Sequence, residues 1–134
     1  MPSIASIHGL GIRQATTLRK HRIRTTEALL RRSSTKAARK RLATETKIPE
    51  PSILEWVNRA DLMRVKGIGT EYSDLLEEAG VDTVRELKTR KPANLHAAMV
   101  AANDRRRLVR RLPTVEMVEK WVSEAASLAP MVKY

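Results

Sequence analysis

The sequence predicts an all-α protein built from two similar helical modules. Three observations predict it: apolar residues recur at helical spacing, strand signals are nearly missing, and one glycine-rich turn occurs twice. The 134 residues suffice for a real core, and 42% of them are hydrophobic. Aromatics make up 3% and Phe is absent, so Leu, Ile, Val, Ala and Met must build that core. No run of alternating β-branched residues reaches strand length.

Helices are expected near residues 11–20, 25–32, 35–45, 51–64, 70–79, 83–90, 94–108 and 114–128. In the fourth, Ile53, Trp56, Val57, Ala60 and Met63 line one face, and Pro51 suits the first turn. In the fifth, Tyr72, Leu75, Leu76 and Ala79 do the same, with Gly80 placed to cap the end in a left-handed conformation. Thr83-Val84-Arg85-Glu86 reads as a capping box that opens the sixth. Lys91-Pro92 and Leu112-Pro113 break the chain before the last two. Their stripes are Leu95, Ala98, Met99, Ala102 and Val118, Trp121, Val122, Ala125. Both tryptophans lie on such stripes, which assigns them to the core rather than to base stacking.

The chain matches itself at a shift of 58 residues. Gly9-Leu10-Gly11 then falls on Gly67-Ile68-Gly69, Leu18 on Leu76, Ile23 on Val81, and Thr25 on Thr83. At a shift of 65, Ile53, Trp56, Val57 and Ala60 fall on Val118, Trp121, Val122 and Ala125. The expected organisation is one module over residues 1–60 and a second over 61–134, packed together as one domain because each is too small to be stable alone.

The repeated element is apolar-x-Gly-apolar-Gly followed at once by a helix: Ile7-His8-Gly9-Leu10-Gly11 and Val65-Lys66-Gly67-Ile68-Gly69. Glycine permits positive φ and close approach of the backbone to a ligand. The central Leu10 or Ile68 can fold inward and anchor the turn. The following helix starts with free N–H groups and its positive dipole end, an arrangement that binds phosphate through backbone donors. Such contacts hold a nucleic-acid backbone without reading its sequence.

With Ala15 and Ser73 at the small position, both elements resemble the helix-hairpin-helix pattern. The stretch from Leu75 to Leu87 is similar to the N-terminal domain of strand-exchange recombinases and to the C-terminal domain of the bacterial RNA polymerase alpha subunit. The whole chain, including Ile53 to Met63, resembles a bacterial family that carries tandem helix-hairpin-helix elements and is known only as a domain of unknown function. The resemblance implies binding of duplex DNA without sequence preference. The hairpins would grip phosphates across the minor groove, sometimes with a monovalent cation held by hairpin carbonyls. No other cofactor is expected.

Charge distinguishes the two copies. The chain carries 26 Lys and Arg against 15 Asp and Glu, a net +11. Residues 1–58 hold +8 of this and residues 59–134 only +3. Arg13 follows the first turn where Glu71 follows the second, and Asp74, Glu77 and Glu78 continue that helix. The first turn is therefore the better phosphate site. Expected DNA contacts are His8, Gly9, Leu10, Gly11 and Arg13 in the first turn, and Lys66, Gly67, Ile68, Gly69 and Thr70 in the second. Arg39, Lys40, Arg41, Arg105 and Arg106, from two basic clusters, complete the set. The carboxylates of the second helix read as a solvated face. The rival expectation is a protein-interaction module with this acidic helix as its contact.

An enzyme is not expected. There is no nucleophile-elbow motif, Walker loop or His-Glu-x-x-His. Cysteine is absent, which excludes disulfides, thiol catalysis and Cys-ligated zinc and fits a reducing cytoplasm. His8, His21 and His96 lack metal-ligand spacing. No apolar run approaches the ~18 residues of a membrane span. The first twelve residues lack the charged start of a signal peptide.

Overall fold

A computed structural model describes residues 2–134. Among them the regular structure is helical and there is no strand, so the fold is all-α. A single 3₁₀ turn, Ile4–Ser6, precedes eight α-helices. These are α1 (Ile12–Lys20), α2 (Thr26–Arg32), α3 (Lys36–Thr46), α4 (Glu50–Leu62), α5 (Thr70–Glu78), α6 (Val84–Leu87), α7 (Pro92–Arg106) and α8 (Val115–Ser127).

The helix starts follow from capping chemistry. Thr25, Thr35, Thr83 and Thr114 each sit one place before a helix and accept a backbone N–H through the side-chain oxygen. Proline lies in the first turns of α4 and α7, where its missing N–H costs nothing. Gly80 adopts φ +95, as its position beyond the fifth helix predicts. Two elements differ from expectation. Helix α6 is four residues long, because Lys88 to Arg90 wind into turns bonded to Val84, Glu86 and Leu87. Helix α7 begins at Pro92 itself, so the proline starts the helix as well as ending the preceding segment.

Buried residues form two clusters. Ile4, Leu18, Leu29, Ile53 and Trp56 belong to the first; Leu62, Leu75, Met99, Val118 and Trp121 belong to the second. Helix α4 joins them, with Ile53 to Ala60 in one and Leu62 in the other. Helices α2 and α3 pack on α4, while α6 and α7 pack on α8 and α5 packs on α7. Both tryptophans are core residues, at 5% and 3% exposure.

Local hydrogen bonds recur at the 58-residue spacing. Leu10 N–H donates to Ile7 O at 3.2 Å and Ile68 N–H to Val65 O at 3.1 Å. Ala15 N–H donates to Gly11 O and Ser73 N–H to Gly69 O, both at 2.9 Å. Ile23 N–H reaches Leu18 O and Val81 N–H reaches Leu76 O.

The chain end does something no periodicity announces. After α8 it crosses to the first cluster, where Met131 packs and Val132 is buried. Arg64 donates to Ala129 O at 3.0 Å, Lys133 N–H to Ser34 O at 2.7 Å, and Tyr134 Oη to Asn58 Oδ1 at 3.1 Å. The last residues thus strap the second half to the first.

Candidate nucleic-acid interface

Each glycine turn reverses the chain between an inward anchor and a helix start. Gly9 has φ +88 and Gly67 φ +92, values that a side chain strains to adopt. Leu10 and Ile68 are buried, so the turn is pinned from inside and these two residues can offer a ligand only backbone. Gly11 and Gly69 precede α1 and α5 and supply no side-chain cap. The first amides of both helices therefore begin without a side-chain partner.

The first turn is open. His8, Gly9, Gly11 and Arg13 are exposed. Among the described residues, no protein group accepts from the amides of His8, Gly9 or Gly11. A Cβ built at Gly9 would meet nothing within 4 Å. The second turn is partly closed. The Lys66 amide already donates to Glu124 Oε2 at 3.0 Å, and Thr70 Oγ1 donates to Ser6 O at 2.5 Å. Behind Gly67 stands the Trp121 indole, whose Nε1 would lie 3.2 Å from an added Cβ. Glu71 is exposed in the first turn of α5, where it opposes an approaching anion.

Part of the expected solvated acidic face is an internal contact instead, while Glu71 is exposed. Asp74 is ion-paired with Arg59, and its Oδ2 lies 2.8 Å from His8 Nδ1. Arg59 Nε also reaches Glu77 Oε2 at 2.9 Å, and Arg106 reaches Glu78 at 3.3 Å. Burial raises the Glu77 carboxyl above the usual glutamate range, against the opposing pull of Arg59. Of the four carboxylates, Glu71 alone has no cationic partner within the ion-pair distance among the described residues.

The basic clusters divide in the same way. Arg39 is not a surface residue: at 1% exposure it donates to Ser33 O, Ser34 O and Lys133 O. The Tyr134 ring lies 6.0 Å from its guanidinium carbon. Its fork is spent on the chain-end strap, which removes it from the expected DNA contacts. Lys40, Arg41, Arg105 and Arg106 are exposed. A cleft of about 340 Å³ borders the first turn, and its cations are Arg13 and Lys47 rather than Lys40 or Arg41. No sequence motif marks Lys47, which ends α3 in the left-handed conformation at φ +61. Among the described residues, no group of three or more His, Cys, Asp or Glu side chains is arranged to hold a metal ion. No described helix is long and apolar enough to cross a membrane.

No curated protein and no solved structure matches the chain. A family model described as a domain of unknown function, DUF4332, matches residues 8–128. That span takes in both glycine turns and all eight helices, and the chain belongs to this family.

Proposed function

We propose that the chain binds duplex DNA with little sequence preference, through helix-hairpin-helix elements of which the first makes the principal contact. The observation that carries this reading is the open first turn. Unengaged amides at His8, Gly9 and Gly11 stand beside the start of α1 and the exposed Arg13, in the half of the chain that holds +8 of its charge. Amides and cations so placed suit the oxygens of a sugar–phosphate backbone, which carry no sequence information. The second hairpin contributes less, because Glu71 and the Glu124–Lys66 bond reduce its appeal to an anion.

Fluorescence anisotropy with two duplexes of unrelated sequence, at several salt concentrations, tests the proposal. The expected result is similar affinity for both. Log affinity should fall linearly with log salt, with a slope of about −0.9 for each phosphate neutralised. A slope of zero, or tight binding to one sequence alone, overturns it.

A further inference from the structure

The first helical residue after the open turn is an isoleucine that faces water. Ile12 is 88% exposed, the most of any large hydrophobic residue among those described. A lone exposed apolar side chain is ordinary on a protein surface. The place of this one is not. Ile12 stands between Gly11 and Arg13, and among the described residues no protein group accepts from the amides of Gly11, Ile12 or Arg13. An anion that takes the free N–H groups at the start of α1 therefore meets the residue that carries the isoleucine side chain. Whatever is bonded to that anion lies within reach of the same side chain.

The second half lacks this arrangement. Thr70 holds the corresponding place at the start of α5, half-buried, and its hydroxyl donates to Ser6 O. The turn thus forms without an apolar residue at that position, and the core gains nothing from Ile12.

Amides and cations meet the same phosphate in DNA and in RNA. The sugar is where the two differ. Deoxyribose within a strand offers carbon–hydrogen and a ring oxygen, while ribose adds a 2′-hydroxyl. The isoleucine side chain has neither donor nor acceptor. Against deoxyribose it removes apolar surface from water; against ribose it covers a hydroxyl and gives it no partner. We propose that Ile12 packs on the sugar beside the bound phosphate and so makes the protein prefer DNA to RNA. The inference rests on the reading of the first turn as a phosphate contact, and adds to it a residue that discriminates by sugar.

The test is anisotropy with the full chain on a DNA duplex and an RNA duplex of the same sequence. Duplex shape differs between the two, so the deciding quantity is how the ratio of DNA to RNA affinity changes when Ile12 alone is altered. The wild type should bind DNA tighter by about tenfold or more, the order of one covered hydroxyl without a partner. Ile12→Ser places a hydroxyl where it can pair with that of ribose, and should cut the ratio about tenfold. Ile12→Leu, still apolar, should keep it. The position is on the surface, so all three proteins should melt at the same temperature. A wild-type ratio of one overturns the inference and leaves DNA binding standing. An equal ratio in wild type and Ile12→Ser also overturns it, by assigning the preference to duplex shape. A ratio lost equally in Ile12→Leu does the same, because polarity is then not the cause. Failure of the wild type to bind the DNA duplex overturns this inference and the duplex-binding reading together.

Discussion

His8 Nδ1 lies 2.8 Å from Asp74 Oδ2, which ties the first glycine turn to the helix that follows the second. Asp74 is also paired with Arg59 from α4, and Thr70 on the same helix donates to Ser6 just before the first turn. Asp74 and Glu77 of α5 are thereby turned toward the first half and paired with its cations. A carboxylate at about one-tenth exposure, holding an arginine equally covered, leaves that arginine with only the more exposed Glu77 and Glu55 as partners when removed. Asp74→Asn is expected to cost about 2 kcal/mol, below the figure for fully buried pairs because some solvent screening remains. Urea denaturation measures it; an unchanged midpoint would mean the pair is idle.

The two left-handed glycines differ in what stands behind them. Alanine at either position strains the backbone by about 1 kcal/mol. At Gly67 the new Cβ would also press on Trp121 Nε1 at 3.2 Å, while at Gly9 it would meet open space. Gly67→Ala should therefore lower the melting temperature more than Gly9→Ala. Equal losses would refute the difference in packing.

Arg39 couples the chain end to the first half. Replacing it with Met takes a donor from three carbonyls and loosens the strap that buries Val132. The expected cost is about 2 kcal/mol, with faster hydrogen exchange at the Lys133 amide. Arg39→Lys should recover only part, because one ammonium cannot reproduce the planar fork. Full recovery by Lys would show that charge alone matters there.

Glu77 and Glu86 are both raised above the ordinary glutamate range, first of all by burial, with Arg59 and Arg90 respectively opposing. The folded protein then holds protons that the unfolded chain has already released. Their contribution to stability is fully present below the ordinary glutamate value and is lost as pH rises through the folded values. Thermal melts of wild type and the Glu77→Gln, Glu86→Gln double variant should diverge across that window, with the wild type losing ground as pH increases. A constant difference between them would contradict the burial effect.

Local pattern made the helices legible. Stripes such as Ile53, Trp56, Val57 and Ala60, and caps such as Thr83 and Gly80, state their structure within a few residues of themselves. The open turn was legible for the same reason, since Gly9 and Gly11 are adjacent to the helix they start. Contacts across the chain leave no such trace. Arg39 sits in a run of basic residues that reads as surface, yet its partner Lys133 is 94 positions away. Asp61 looks like one more charge at a helix end, yet it is buried, binds Arg64 and accepts the Val84 amide at 2.8 Å. The acidic residues of α5 read as solvated because nothing near them in sequence shows that Arg59 and His8 face them.

The central claim, that open amides of the first turn meet the phosphate backbone, is tested most directly by amide chemical shifts. A ¹⁵N-labelled protein titrated with duplex DNA should show its largest changes at His8, Gly9, Gly11 and Arg13, with smaller ones at Gly67 and Gly69. Changes confined to α5 or the chain end, with the first turn silent, would contradict it.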